Sequence, residues 1–165
     1  MRISLPIAIL ALAVAGCSGG EDTAPAPAET ASPAPTPTAT VQPMTAELPG
    51  PDDKDPQDLL TYWRQAVEAG DVAASRRAWR DMIGKGGSAP RWANLSGLTV
   101  TFGEGQQEGA AGSIYDSLPV TLTGTDSGGK QQTLKGKMTL RRVNDVPGAT
   151  PEQLSWRIVS IDWEG

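Results

Sequence analysis

Few residues in this 165-residue chain are able to do chemistry. It has no histidine and one cysteine, Cys17. Without an imidazole there is no Ser-His-Asp triad, no Cys–His nucleophile and almost no zinc site of ordinary composition. Neither a D-x-D-x-D-G loop nor a G-x-x-x-x-G-K-[ST] motif occurs. What survives is acid–base work by carboxylates, Tyr, Lys or Ser/Thr nucleophiles, or an all-oxygen cation site; the acid–base candidates are Tyr62, Asp81, Tyr115 and Asp116. Each has an ordinary structural use. Tyr62 adjoins a helix stripe, Asp81 sits near surface arginines, and Asp116 flanks a strand entry. Nothing in their spacing lifts a carboxylate toward catalytic duty. The expectation is a non-catalytic protein without cofactor or metal, with a carboxylate/tyrosine enzyme as the alternative. Five tryptophans accompany one phenylalanine and two tyrosines. An indole combines apolar area with one donor, so Trp63, Trp79 and Trp156 are binding candidates as well as core.

The lone cysteine has a telling context. Met1-Arg2 is followed by Ile3 to Ala15, apolar apart from Ser4 and Pro6, and too short for the roughly 20 residues of a spanning helix. Val14-Ala15-Gly16-Cys17 resembles the lipobox of bacterial lipoprotein precursors. That resemblance implies a signal peptide over 1–16, cleavage after Gly16, and a diacylglyceryl thioether on Cys17, often with a further acyl chain such as palmitate. Two chains anchor stably where one does so marginally. Ser18 stands where enterobacterial inner-membrane lipoproteins commonly carry Asp, so the expected location is the periplasmic side of the cell envelope, outer rather than inner membrane.

Residues 17–54 read as an acidic linker, with eight prolines between Pro25 and Pro51 among Ala, Thr and Ser. Such composition buries too little to offset chain entropy. In polyproline II form, at about 3.1 Å per residue, it reaches on the order of 100 Å. The formal charge of −5 is concentrated here: residues 21–58 carry −7, and residues 59–165 carry +1. A near-neutral domain has no nucleic-acid footprint.

Residues 55–165 are then the folded domain. Asp55 caps and Pro56 opens a helix whose stripe is Leu59, Leu60, Trp63, Ala66 and Val67, stopped by Gly70. A second helix begins at Asp71, with Ser75, Ala78, Trp79, Met82 and Ile83 on one face. Beyond "GKGGSAP" the period becomes two: Leu98, Val100, Phe102; then Leu118, Val120, Leu122; then Leu134, Met138, Leu140, opposite Lys135, Lys137 and Arg141. "TDSGGK" reads as a hairpin loop, "NDVPGATPEQ" as a longer connection, and "LSWRIVSIDW" as the last strand. The expected class is α+β, two N-terminal helices packed on a curved antiparallel sheet of about four strands.

"YWRQAVEAGDVAASRRAW" is similar to the first helices of the nuclear transport factor 2-like superfamily, and "LPVTLTG…LKGKMTLRRVND…LSWRIVSIDW" resembles its long terminal strands. The resemblance covers residues 57–164 and implies a cone whose mouth holds a small ligand, and an outer sheet face used for dimers. In the last strand Val159, Ile161 and Trp163 alternate opposite Trp156 and Ile158, so both faces are apolar. Either a bulge switches faces after Ile158, or a second subunit covers Val159, Ile161 and Trp163. The expected partners are the membrane through the anchor, a small apolar ligand or envelope protein, and a second copy of the chain. A structural self-associating module is the third reading.

Overall fold

A computed structural model describes residues 44–80 and 89–165. Helix α1, Pro56–Glu68, forms as its caps dictate. The Asp55 side chain accepts from the backbone N–H of Gln57, Pro56 fills the first turn, and Gly70 follows the C-cap with φ 69°. Its inward stripe gains Tyr62 beside the five expected residues. Asp71 caps α2, Val72–Arg77, by accepting from Ala74 N–H.

Helix α2 stops earlier than its periodicity predicts. Ile158 N–H donates to the Ala78 carbonyl at 2.9 Å, and Arg80 N–H donates to the Ile158 carbonyl at 3.0 Å. Trp79 thereby makes a parallel bridge to Ile158. Pairing with the sheet edge takes the backbone groups that another helical turn would use. Met82 and Ile83 lie outside the described residues.

The sheet has five strands rather than four: β1 Ser96–Phe102, β2 Gln106–Ala110, β3 Ser113–Thr125, β4 Gln131–Val143 and β5 Arg157–Trp163. All pairings are antiparallel, in the order β1-β3-β4-β5, and β2 pairs with the first part of β3. Strands β1 and β2 thus share one edge of β3, interrupted at residues 103–105. Pro119 sits opposite the interruption. Its carbonyl accepts from Gly103 N–H, and its missing N–H falls where no partner strand runs. Ala111 (φ 44°) and Gly112 (φ 78°) make the two-residue turn from β2 to β3, both left-handed as primed hairpin turns require. The expected 125–130 hairpin loop is built on Asp126, whose carboxylate accepts from Gln132 Nε2 and from the N–H groups of Gly128 and Lys130. The longer connection contains α3, Pro151–Leu154, with a Thr150/Gln153 capping box.

The two-sided last strand is resolved by register. Thr139 pairs with Ser160, but Leu140 pairs with Ile158, so Val159 is an inserted bulge residue. Ile158, Ile161 and Trp163 then lie opposite Leu140, Met138 and Gly136, all on the helix-covered face. Of the two alternatives for Val159, Ile161 and Trp163, the bulge is the one present, and Ile161 and Trp163 pack against the core cluster. That cluster joins α1 (Leu59, Leu60, Trp63, Val67) to the sheet (Val100, Leu118, Val120, Leu122, Met138, Leu140, Ile158).

The packed region also begins earlier than residue 55. Met44, Ala46 and Leu48 lie against the core, and Gln65 Oε1 accepts from the N–H groups of Thr45 and Ala46 at 3.1 and 2.9 Å. Buried Arg157 donates from Nη1 to the Pro49 carbonyl, and the Trp156 indole donates to the Lys54 carbonyl at 2.8 Å. Residues 44–54, expected as the end of the linker, are a strap on the domain. Among the described residues no helix is long and apolar enough to cross a membrane.

Candidate functional site

The described acid–base candidates, Tyr62, Tyr115 and Asp116, do not converge. Tyr62 is buried between the helices; its hydroxyl donates to the Ala74 carbonyl and accepts from Arg77 Nε, both at 3.1 Å. Its proton is committed to holding α1 against α2. Tyr115 stacks with the Arg141 guanidinium, 5.5 Å from the ring centroid. Asp116, one residue on, points to the opposite face of β3 and is 3% exposed. Its Oδ1 has no hydrogen-bond partner. The backbone of Gly105 presses on it, so that a side-chain carbon at 105 would lie 2.5 Å from Oδ1. Burial, and after it the Asp55 carboxylate, hold the Asp116 carboxyl above its usual range. A raised carboxyl is a familiar catalytic device, yet Asp116 lines neither of the two cavities described below. Asp81, Gly16 and Cys17 lie outside the described residues.

The tryptophans do converge. A cavity of about 230 Å³ is lined by Trp63 of α1, Ser75 and Arg76 of α2, Trp79, the loop residues Ala89 to Trp92, and Ile161 and Trp163 of β5. Four indoles therefore meet from four separate stretches of chain. Trp63 and Trp92 are buried, and Trp79 and Trp163 are half-buried at the rim. The bulge at Val159 is what aims Ile161 and Trp163 here. Trp63 also tilts against Phe102, ring centroids 6.2 Å apart, which fixes its plane from behind. Of the three tryptophans singled out from sequence, Trp63 and Trp79 reach this cavity. Trp156 does not; it lies under the 44–54 strap.

A second concavity, of about 420 Å³, opens over β3, β4 and β5 on the sheet's other side, between Gln106, Ser117, Pro119, Lys137, Asp162, Glu104 and Glu164. Of its polar groups, Gln106, Ser117, Lys137 and Asp162 are on strands, while Glu104 and Glu164 lie just outside them. No group of three or more His, Cys, Asp or Glu that would hold a metal ion occurs among the described residues.

No family model matches the chain. No curated protein matches it. Among solved structures, the chain is similar to a nuclear transport factor 2 (NTF2-like) superfamily protein from Salmonella enterica subsp. enterica serovar Typhimurium str. LT2, with a TM-score of 0.48 and 11% sequence identity, over 66% of this chain and 86% of that one.

Proposed function

We propose that the chain is a lipid-anchored protein of the bacterial envelope, whose nuclear transport factor 2-like domain is a non-catalytic module that takes a small apolar group into the tryptophan-lined cavity. The observation that carries this reading is the meeting of Trp63, Trp79, Trp92 and Trp163 around one space. Four indoles are more aromatic surface than closing a core requires, and an apolar hollow with a few polar groups is the ordinary form of a ligand site. The placement of Tyr62 and Asp116 supports a non-catalytic role: neither faces the cavity in which a substrate would lie. The anchor reading rests on Val14 to Cys17, and the strap at 44–54 leaves residues 18–43 to separate domain from membrane.

The test is titration of the full chain with a neutral ring, benzyl alcohol, followed by tryptophan emission and calorimetry. A ring-sized apolar contact gives weak binding, with Kd on the order of 0.1–1 mM. Trp79→Ala, which removes a rim wall, is expected to abolish it. An emission spectrum and heat unchanged up to about 10 mM would remove the proposal.

A further inference from the structure

The space and its polar groups narrow the ligand class. An apolar cavity of about 150 Å³ accommodates benzene, whereas pockets for drug-sized molecules begin near 300 Å³. At about 230 Å³, the cavity has room for one ring and a substituent of a few atoms, and not for an acyl chain or a disaccharide.

The wall offers donors. Among its described residues none is acidic, and two, Arg76 and Arg91, are cationic. Arg91 is exposed and makes no ion pair with any described residue. Among the described residues only Trp156, outside the cavity, has its indole N–H in a hydrogen bond. Those of Trp63, Trp79, Trp92 and Trp163 have no acceptor among the described residues. Ser75 spends its hydroxyl proton on the Val72 carbonyl and adds only a weak acceptor. An indole N–H donates and never accepts, and a guanidinium likewise. A ligand that completes this wall brings a ring for the indoles and an anionic acceptor for the N–H groups.

Building on the ligand-binding reading above, we infer that the cavity is selective for a small aromatic carboxylate, its ring among the indoles and its carboxylate toward Arg91. The opposite choice, a quaternary ammonium held over indole faces, gains cation–π attraction but meets the Arg91 guanidinium and, among the described lining residues, no carboxylate.

The experiment compares benzoate, benzyl alcohol and benzyltrimethylammonium on the full chain by calorimetry at low and high salt. Benzoate is expected to bind roughly tenfold tighter than the alcohol, as a charge-assisted hydrogen bond supplies. Its advantage shrinks with added salt, and the ammonium is weakest. Arg91→Gln, a surface change that spares the core, brings benzoate down to the alcohol. Equal affinity for all three rings, or tightest binding of the ammonium, overturns the carboxylate assignment and leaves the ligand-binding reading standing. Absence of binding by any ring overturns both. Benzoate preference that survives Arg91→Gln overturns the role of Arg91 and, with it, this orientation of the ligand.

Discussion

The ring of Trp163 lies over Gly136 on the adjacent strand. A side-chain carbon at 136 would stand 3.1 Å from Trp163 Cε3 and Cα, and 2.8 Å from the Asp162 carbonyl oxygen. The glycine is needed because backbone blocks the space, and no change of rotamer relieves that contact. Gly136→Ala is therefore expected to push the end of β5 off β4, costing about 1–3 kcal/mol as overpacking does, and to displace Trp163 from the cavity wall. Gly109→Ala is the control, since nothing lies within 4 Å of a carbon added there. Urea unfolding and benzyl alcohol titration of the two variants measure both effects, with loss in both at 136 and in neither at 109.

The strap makes a prediction about truncation. Removing residues 21–43 is expected to leave the melting temperature unchanged. Removing 21–50 takes the Pro49 carbonyl from buried Arg157 and the packing of Met44, Ala46 and Leu48 from the core. A buried guanidinium that loses an acceptor costs on the order of 1–3 kcal/mol, and the uncovered apolar surface adds to it. For a domain this size the melting temperature falls by about 5–10 °C. Calorimetry on the two deletions decides the matter, and equal melting temperatures would show that the strap contributes nothing.

How much of this was legible beforehand depends on what each element uses to hold itself. Helix α1 and strands β1, β3 and β4 bury one face, so their apolar period shows in Leu59 to Val67 and in Leu98 to Leu140. Strand β2 is exposed along all five residues and is held by its backbone on β3, so "QQEGA" carries no period to read. The end of α2 and the bulge at Val159 are both set by pairing with β5 or β4, a relation between distant residues that no local pattern encodes. The strap did leave a trace. Met44, Ala46 and Leu48 alternate with Thr45 and Glu47, a short period of two that the surrounding prolines obscured. For the cavity, five tryptophans announced an excess of aromatic surface, but only register shows which four meet.

The lipobox reading is tested at one atom. Cys17→Ser replaces the sulfur with an oxygen and removes the acceptor of the diacylglyceryl group. The precursor is expected to stay uncut before residue 17 and to take up no radiolabelled palmitate, with the protein shifted to higher apparent mass. Palmitate incorporation at the wild-type level in the variant rules the anchor out.

Asp116 supplies the pH test. Its carboxyl has a proton affinity above the ordinary value near 3.8 because the charged form is desolvated and faces Asp55, with Oδ1 unpartnered. An acid of this kind favours the fold while it is protonated. Between the ordinary value and the raised one, the native state holds more protons than the unfolded chain, so stability falls as pH climbs through that interval and stays lowered above it. Asp126 and Asp145 are shifted the other way, by hydrogen bonds led by Gln132 and Lys54, and oppose the trend in the whole-protein profile. Comparing variant with parent cancels them. Asp116→Asn keeps the shape and cannot ionise, so it is expected to be more stable than the parent above the interval in which the parent's buried carboxyl titrates. Near pH 3 both are neutral at this position and the difference closes. Urea unfolding at the two pH values checks it. A variant less stable than the parent near neutrality would mean that the Asp116 charge is stabilised in the fold, and would return that carboxylate to consideration as a functional group.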